Sequence, residues 1–205
     1  MRKAKITYHH GDLRNALITE AARTIQARGN VEFTIRDLTG ALKVTHTAAY
    51  RHFANKTAIL AAVAYRGFEL LRANLAAIDS DSTLAPREKL NDQGVAYVVF
   101  AVQNPGYFRA MFHADLRDKK TLPELAVAAQ AAYDCLARAV VACQQQKLFK
   151  GHRADLVTLK AWAVVHGLAF LTLDGQLPDV LTGGRDTASS STLAAMVAAV
   201  LASAP

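Results

Sequence analysis

The chain has 205 residues and a mass of 22.1 kDa, and 52% of its residues are hydrophobic while 20% are charged. This length and composition are sufficient for one large or two small packed domains, so the chain is predicted to be globular. The formal net charge of +7 is uneven, because residues 1–72 carry 12 Lys and Arg against 5 Asp and Glu, whereas residues 73–205 carry 12 against 12.

Three features of the sequence argue against secretion and against a membrane. The opening MRKAKITYHHGD lacks the apolar stretch of a signal peptide, and the apolar runs 94–102 and 161–173 are shorter than the roughly 20 residues that span a bilayer. Cys135 and Cys143 lie about 12 Å apart on one helical pattern, too far for a disulfide within an intact helix. We therefore expect a cytoplasmic protein with no membrane partner and no structural disulfide.

The periodic segments of the chain all resemble helices. Ala, Leu, Arg, Lys and Gln dominate these segments, and the alternating β-branched residues that are typical of strands are absent. The sequence therefore predicts an all-α protein. Its first helix is expected from about Asp12 to Arg28, and Gly29 ends it.

Residues 34–60 hold two short helical patterns that are joined by a tight turn. Thr34 and Asp37 form a Ser/Thr-x-x-acid start signal for the first pattern. Apolar residues then recur from Ile35 at the spacing of a single helical face. The segment therefore predicts one short helix, a turn and a second short helix.

The second pattern begins after Val44, where the Thr45 hydroxyl can cap a helix, and Asn55 can cap a third helix. Ala48, Ala49 and Phe53 are expected to face inward. Three helices that follow each other so closely must pack at steep angles, which presents the middle helix to a groove. That helix carries the polar set Thr45, His46, Thr47, Tyr50, Arg51 and His52.

This pattern coincides with the basic part of the chain. Phosphate neutralisation by Lys and Arg supplies most non-specific affinity for DNA, so the charge distribution predicts a DNA-binding head on a neutral body. The alternatives are an ordinary solvated basic surface and attraction to anionic lipid. Arg2, Lys3 and Lys5 form either an arm that follows the DNA or a solvated tail.

The same segment resembles the tetracycline-repressor (TetR) family of transcriptional regulators. In that family a Thr-hydrophobic-Arg-Asp opening is followed by a turn ending in Val-Ser/Thr, then by small-hydrophobic-Tyr-x-His-Phe and x-x-Lys. Two positions depart from the family pattern: Lys43 stands where Gly is usual, and Thr39 where a small residue is usual. Since a helix C′ position often needs φ > 0, Lys43 predicts a slightly strained or altered turn. The matching residues are Thr34, Ile35, Arg36, Asp37, Val44, Thr45, Ala49, Tyr50, His52, Phe53 and Lys56.

The resemblance and the geometry of such helices divide the expected DNA contacts into two kinds. Arg36 has the alternatives of a phosphate contact or an ion pair with Asp37, and the His52 ring has the alternative of a hydrogen bond inside the head. Base contacts are assigned to Arg36, Thr45, His46 and Thr47. Phosphate contacts are assigned to Thr34, Tyr50, His52 and Lys56, and Arg51 completes the DNA-binding set.

A long helix from Lys56 to about Ile78 is expected to link the head to the body. We therefore divide the chain into a DNA-binding domain, residues 1–55, and an effector-binding and dimerisation domain, residues 56–205. Further helices are predicted from Pro86 to Asn104, from Pro123 to Phe149, over 154–174 and over the terminal LAAMVAAVLA, with a Pro105-Gly106 break before the short aromatic segment YFRAMFH.

The last helix is apolar on most of its circumference, and the stretch Leu159 to Leu173 is strongly apolar too. Two such helices can pair with the same two helices of a second subunit to form a four-helix bundle. The resemblance to the TetR family implies a dimer of this kind. We expect a homodimer through the last two helices, with Val197 and Val200 in the interface. The alternative is burial of both helices within one subunit.

The chain carries a second resemblance. Trp162, His166 and Gly167 match a Trp-x-x-x-His-Gly element of one TetR C-terminal subclass. In addition, YHHGDLRNALI at 8–18 resembles the N-terminal opening of the same proteins. Aromatic and polar residues of the body suit a mostly apolar small molecule with one or two polar groups, although each aromatic can also be plain core. The candidate effector residues are Tyr97, Phe100, Tyr107, Phe108, Met111, Phe112, His113, Tyr133, Trp162, His166 and Phe170.

Other classes of protein have little support in the sequence. Spacings such as Gly-x-Ser-x-Gly or His-Glu-x-x-His are absent, so we assign no catalytic residue, cofactor or metal ligand and expect no enzyme. A metal-responsive regulator would need ligands from several helices, and an architectural DNA-binding protein would have no effector cavity. The predicted function is a repressor that a small apolar or amphipathic effector releases from a pseudo-palindromic operator.

Overall fold

The computed structural model describes residues 13–118, 121–178 and 190–202, and every regular element in these ranges is helical. The all-α prediction is therefore confirmed. The basic residues Arg2, Lys3 and Lys5 lie outside the described residues. The helices are α1 (Leu13–Arg28), α2 (Ile35–Leu42), α3 (His46–Tyr50), α4 (Lys56–Ser80), α5 (Pro86–Gln103), α6 (Pro105–Met111), α7 (Pro123–Gln145), α8 (Ala154–Leu173) and α9 (Ser190–Ala202), with a single 3₁₀ turn at Ala114–Leu116.

The chain forms two compact units. The first comprises Met1–Gly67 and Gly106–Leu125, and the second comprises Phe68–Pro105 and Ala126–Pro205. The chain passes between them three times: inside α4, at the start of α6 and inside α7. The functional boundary after residue 55 stays a prediction.

The first unit is built around α1, which packs against α2 and α3. The α6 helix belongs to this unit, and its entry requires a glycine. A Cβ atom at Gly106 would lie 2.0 Å from the carbonyl oxygen of Ala22, so only the missing side chain lets the two backbones approach this closely. Fully buried side chains that form the core include Leu17, Ile25, Leu38, Ile59, Leu60 and Phe108.

The second unit is organised around α5, which packs against both α8 and α9. A Cβ atom at Gly94 would lie 2.8 Å from Cγ1 of Val197 and 3.0 Å from Cδ1 of Leu201, so α9 lies directly on the α5 backbone. Val197 is 0% exposed in the single chain. The prediction that Val197 lies in the dimer interface is therefore wrong, because the face of α9 that carries it is buried inside its own subunit. The side chain of Val200 lies outside the described part.

The α7 helix ends at Gln145, four residues before the predicted end at Phe149. The N–H of Leu148 donates to the carbonyl of Cys143 at 3.1 Å, and the N–H of Lys147 donates to that of Gln144 at 2.9 Å. These two bonds form a Schellman motif, whose left-handed C′ position is here Lys147 with φ 64°. The early end escaped prediction because this position, where Gly is the usual signal, is a lysine.

Two helices, α7 and α8, are long and apolar enough to cross a membrane when judged by length and composition only. The apolar runs are thus longer than the sequence predicted, since helix α8 extends its apolar character over 20 residues. Core helices of soluble proteins satisfy the same criterion, so this observation is weak evidence for a membrane.

Candidate DNA-binding surface and effector site

The start of α2 is fixed by a reciprocal pair of hydrogen bonds. The Asp37 N–H donates to Oγ1 of Thr34 at 3.1 Å, and the Thr34 N–H donates to Oδ2 of Asp37 at 2.9 Å. This capping box confirms the predicted start signal. It also holds the pKa of the Asp37 carboxyl below its ordinary value, chiefly through the Thr34 backbone N–H and further through Arg28.

The Asp37 carboxylate is paired with Arg28 and not with Arg36. Nη1 of Arg28 lies 3.1 Å from Oδ2 of Asp37 and also donates to the carbonyl of Glu32 at 2.6 Å. The alternative of an Arg36–Asp37 ion pair is therefore wrong. The Arg36 side chain is exposed on α2, where it is available to DNA.

The turn between α2 and α3 contains the predicted strain. Lys43 adopts the left-handed conformation with φ 54° and ψ 41°, at the position where the family usually has Gly. Its N–H donates to the carbonyl of Gly40 at 3.2 Å, and the N–H of Val44 donates to that of Thr39 at 3.0 Å. The turn therefore has the left-handed geometry that Gly would adopt easily, and Lys43 adopts it with the strain that a Cβ atom causes there.

The α3 helix presents its polar side chains outward. Thr45 caps it, since Oγ1 accepts a hydrogen bond from the Ala48 N–H at 3.2 Å, as the sequence predicts. Ala49 and Phe53 are buried and hold the helix against the rest of the first unit. The exposed residues of the segment are Thr45, His46, Thr47, Tyr50, Arg51 and His52.

The α3 helix does not include all of these exposed polar residues, because it ends at Tyr50. Arg51 and His52 lie in the following turn. The His52 ring is exposed and makes no hydrogen bond to any described residue, so the alternative of an internal bond has no support. Tyr50 is 54% exposed, which is unusual for a tyrosine that serves only as core.

Lys56 lies at the start of α4 and is half-buried, unlike the other predicted DNA contacts. Its Nζ atom lies 5.2 Å from the centroid of the Phe33 ring, which fixes the side chain by a cation–π contact. Oδ1 of Asn55 accepts from the Ala58 N–H at 2.9 Å, so the predicted cap of this helix is confirmed. The ammonium group thus lies beside a helix N-terminus, a favourable place for a phosphate.

A polar and aromatic cluster lies in the second unit between α5, α7 and α8. The Tyr97 hydroxyl lies 2.8 Å from Nδ1 of His166, and the Trp162 indole N–H donates to the Tyr97 oxygen at 3.4 Å. Tyr133 meets Trp162 edge-on at 5.9 Å between ring centroids, and His166 meets Phe170 at 4.9 Å. The sequence predicted these five residues as part of one site, and the structure brings them together.

The cluster is electrically neutral near pH 7. Burial raises the pKa of the Tyr97 hydroxyl, and burial lowers the pKa of the His166 imidazole. Both shifts favour the uncharged forms, because a charge is poorly solvated there. The group in the second unit is therefore built for hydrogen bonding rather than for ion pairing.

The eleven predicted effector residues do not form one cluster. Phe108 and Met111 are buried in the first unit, and Phe108 packs on Phe112 at 5.1 Å between ring centroids. His113 caps the 3₁₀ turn by accepting from the Asp115 N–H at 3.3 Å. The Pro105-Gly106 break explains the division, because it starts a new helix that packs with α1 and the first half of α4. The first-unit members are Tyr107, Phe108, Met111, Phe112 and His113, and the second-unit members are Tyr97, Phe100, Tyr133, Trp162, His166 and Phe170.

Sequence reasoning missed one polar residue of the second unit. Gln93 on α5 is 2% exposed, and both its Oε1 and Nε2 atoms are buried without a hydrogen-bond partner in the described part of the chain. A single Gln in a helix has no sequence signature of burial, so only the structure could reveal it.

The α8 helix also leaves an apolar stripe in solvent. Leu156, Leu159 and Leu171 are 55%, 50% and 47% exposed. Ala163 and Gly167 are exposed on the same helical face.

A shallow hollow of the same unit, too small for an organic ligand, is lined by Leu90, Phe149, Val157, Lys160, Ala161, Val164 and Leu201. Within the described ranges, no group of three or more His, Cys, Asp or Glu residues could hold a metal ion.

The exposed, capped α3 helix on the basic unit defines a helix-turn-helix DNA-binding protein. Comparison with protein families gives the family. The model for bacterial regulatory proteins of the tetR family matches residues 17–63, and the model for tetracyclin repressor-like C-terminal domains matches residues 90–202, more than half of the chain. The chain belongs to the TetR family of transcriptional regulators.

Solved structures of similar fold agree with this assignment. A protein of unknown function from Rhodococcus sp. RHA1 is 26% identical, with a TM-score of 0.76 over 97% of this chain and 98% of that one. The TetR family regulator PfmR from Thermus thermophilus is 17% identical, with a TM-score of 0.72 over 92% and 98%. AibR, in complex with isovaleryl coenzyme A and operator DNA, is 20% identical, with a TM-score of 0.71 over 92% and 97%. A comparison with curated proteins gave no match.

Family membership makes this chain a DNA-binding regulator and not an enzyme, as the sequence predicts. It also assigns α7 and α8, the two apolar helices of bilayer length, to the C-terminal domain of a soluble regulator. The Trp-x-x-x-His-Gly subclass stays a prediction.

Proposed function

We propose that this chain is a cytoplasmic homodimeric repressor that a small neutral effector releases from a pseudo-palindromic operator. The observation that carries the proposal is a difference between the units. The first unit exposes the polar side chains of α3 on its basic surface, and the second holds a neutral, partly buried polar-aromatic cluster. The first is suited to DNA and the second to a small molecule.

The DNA contacts follow from exposure on the first unit. Thr47 and His46 lie in the first turn of α3, where side chains reach base edges in a major groove. Arg36, which Asp37 leaves unpaired, lies on α2 and suits either a guanine or a phosphate. The phosphates are assigned to the remaining polar residues of the set, which are exposed or half-buried: Thr34, Tyr50, Arg51, His52 and Lys56.

The dimer is proposed to form through the exposed stripe of α8 together with the outer face of α9. Leu156, Leu159 and Leu171 expose their side chains on a single helical face, and a soluble monomer has no reason to leave such a stripe in water. The small residues Ala163 and Gly167 in the middle of the stripe would let two copies of α8 approach closely. A two-fold axis would then place two heads on one DNA duplex.

The effector site is proposed to lie in the second unit, at the cluster formed by Tyr97, Trp162, His166, Tyr133 and Phe170. AibR, which shares this fold, binds isovaleryl coenzyme A and operator DNA, so the fold is compatible with both ligands. Here the cluster offers aromatic surface and neutral hydrogen-bonding groups. A mostly apolar molecule with a polar end suits these groups.

Three covalent connections can carry the signal from effector to DNA. The α4 helix runs from the first unit into the second, and α5 of the second unit continues through Asn104 into α6 of the first. The α7 helix begins in the first unit and continues into the second. An effector that favours a head spacing unlike one helical turn, about 34–36 Å, must weaken DNA binding, and DNA must weaken effector binding by the same factor.

A selection from a pool of random DNA duplexes tests the proposed function. The wild-type protein should enrich a pseudo-palindrome whose half-sites are separated by a whole number of helical turns. The doubly substituted Arg36→Ala, Thr47→Ala protein is the control, and it should stay folded but enrich no such site. Recovery of duplexes without a common symmetric sequence would indicate an architectural DNA-binding protein instead.

A further inference from the structure

Gln93 is a buried polar side chain whose hydrogen-bonding capacity is unused. It lies in the middle of α5, is 2% exposed, and neither Oε1 nor Nε2 has a partner among the described residues. A buried amide without partners destabilises a fold relative to an apolar side chain of the same size. Such a residue in a packed core therefore calls for a cause other than stability.

Three other polar side chains are buried as a whole, and they differ from Gln93. They are Thr39, Thr158 and Thr172, and each hydroxyl donates to a carbonyl of its own helix, at 3.2, 2.8 and 2.7 Å respectively. A threonine satisfies itself in this way wherever it stands in a helix. Oδ1 of Asn91 is also buried without a partner among the described residues, but Asn91 itself is only half-buried. A glutamine offers two N–H donors and an acceptor oxygen, and these need a partner from another part of the molecule or from a ligand.

The position of Gln93 places it beside the proposed effector cluster. It precedes Tyr97 by four residues on α5, so the two side chains leave the same helical face one turn apart. Tyr97 in turn contacts His166 and Trp162 of α8 through its hydroxyl. The unused amide is thus the immediate neighbour of a neutral hydrogen-bonding network.

We propose that Gln93 is the polar anchor of the effector and selects a neutral ligand that presents a donor and an acceptor side by side, as a primary carboxamide or a lactam does. The inference rests on the proposed ligand-responsive function and specifies the chemistry of its effector. An amide edge can satisfy both halves of the Gln93 side chain at once, with one N–H···O bond in each direction.

The surroundings favour a neutral and aromatic or apolar ligand over a carboxylate. No charged side chain is buried in the described part of the second unit, so a carboxylate would find no cation in the core. The rings of Trp162, Tyr133 and Phe170 supply flat apolar surface. An aromatic amide therefore combines the two features that the site offers.

Calorimetric titration with benzamide, acetophenone and benzoate tests the proposal, because the three differ only in the group that would meet Gln93. Wild-type protein should bind benzamide at least about tenfold more tightly than acetophenone, which keeps the acceptor but lacks the donor, and benzoate most weakly. Equal affinities for benzamide and acetophenone, or no binding of any of the three, would overturn the proposal.

The variant Gln93→Leu separates an anchor from a structural residue. It should unfold at the same or a higher temperature than wild type and should bind benzamide and acetophenone equally. A lower unfolding temperature, or an intact preference for benzamide, would overturn the proposal. Gln103→Leu is the matched control, since Gln103 is exposed on the same helix, and it should change neither property.

Measurements of operator binding and release distinguish failure of the proposed amide anchor from failure of the proposed function. If acetophenone and benzamide release the selected operator equally well, the chain is a ligand-responsive regulator without an amide anchor. If neither the wild type nor Gln93→Leu binds a symmetric operator, the proposed function itself fails, whatever the titrations show.

Discussion

The two units of this chain place their polar groups in opposite ways. In the first unit, His46, Thr47 and Tyr50 lie outside, and buried Ala49 and Phe53 hold their helix from within. In the second unit, Gln93 and Tyr97 are buried in α5, while leucines of α8 face solvent. The difference matches the ligands proposed for each unit. DNA is met from outside by exposed donors and cations, whereas a small molecule is enclosed by neutral groups.

Mutations in the two units should therefore have different effects. Substitutions on α3 should change DNA affinity at nearly constant stability, because these side chains make few contacts within the protein. Substitutions in the core of the second unit should change stability, whether or not they change ligand affinity. Substitutions in the exposed α8 stripe are a third case. They should change the affinity of the dimer with little effect on the stability of the subunit, because the proposed partner of the stripe is a second copy of the chain.

The largest effect is expected from a charge in the α8 stripe. Leu159→Lys should convert the dimer to monomers, because an unpaired charge buried in an apolar interface costs several kcal/mol, roughly 3–5 in comparable cases. Sedimentation at micromolar concentration measures the change. Val127→Lys is the matched control, since Val127 is 69% exposed on α7, and this variant should stay dimeric. A dimeric Leu159→Lys protein would place the interface elsewhere.

A charge on the buried face of α9 should have the opposite outcome. Val197→Asp should lower the unfolding temperature of the second unit strongly instead of releasing a folded monomer, because Val197 is fully buried against the α5 backbone. Circular dichroism during heating distinguishes the two outcomes. A stable monomeric Val197→Asp protein would restore the valine to the dimer interface.

Gly106 should show how tightly α6 is fixed within the first unit. In Gly106→Ala the new Cβ would overlap the Ala22 carbonyl oxygen, so α6 or α1 must shift, and we expect a loss of about 1–3 kcal/mol in the free energy of unfolding. Gly40→Ala is the control in the same unit, because a Cβ atom at Gly40 would have nothing within 4 Å and alanine favours a helix. Equal effects of the two substitutions would show that the Gly106 contact is not constrained.

The α3 residues should separate base contacts from phosphate contacts. Thr47→Ala or His46→Ala should cost about 1–3 kcal/mol on the selected operator and little on random duplex. Tyr50→Phe and Lys56→Ala should weaken binding to both duplexes by similar factors and should reduce its salt dependence if they remove an ionic contact. Fluorescence anisotropy at several salt concentrations provides both quantities. Sequence-specific loss in Lys56→Ala alone would contradict this division.

The head could be predicted from the sequence in detail because its structure is fixed by local hydrogen bonds. The capping box of Thr34 and Asp37, the Thr45 cap and the Asn55 cap each join residues only three positions apart. Even the left-handed Lys43 was predictable, since the family resemblance gives the position at which Gly is usual. Local chemistry of this kind is written in neighbouring residues.

The body was harder to predict because its features depend on contacts between distant helices. Val197 and the leucines of α8 are all strongly apolar, and only packing decides which of them is buried. The aromatic residues of α6 and α8 look alike in sequence, yet they belong to different units. Gln93 and Gln103 both lie on α5, and only the structure shows that the first is buried and the second exposed.

The lysine at the end of α2 offers a smaller test within the head. Lys43→Gly should raise the free energy of unfolding by about 1 kcal/mol, because glycine adopts the left-handed conformation without a Cβ penalty. Lys43→Ala, which also removes the charge, should leave the stability nearly unchanged. Chemical denaturation of the three proteins gives the comparison, and a stabilised Lys43→Ala variant would assign the effect to charge.

The smallest effect is expected from the pH dependence of the half-buried His166. Burial lowers the pKa of His166 in the folded protein below the value of about 6.5 that an unfolded chain shows. As the pH falls below about 6.5, the unfolded chain takes up this proton before the folded chain does, so the stability should fall with it. Above that value both states are neutral, and the contribution of His166 is fully present. In His166→Gln this part of the pH dependence should disappear, and the exposed His152 provides the control because His152→Gln should keep it. Denaturation curves at several pH values measure the difference, and a ring of His166 that titrates in NMR at or above its ordinary pKa would contradict the neutral character of the cluster.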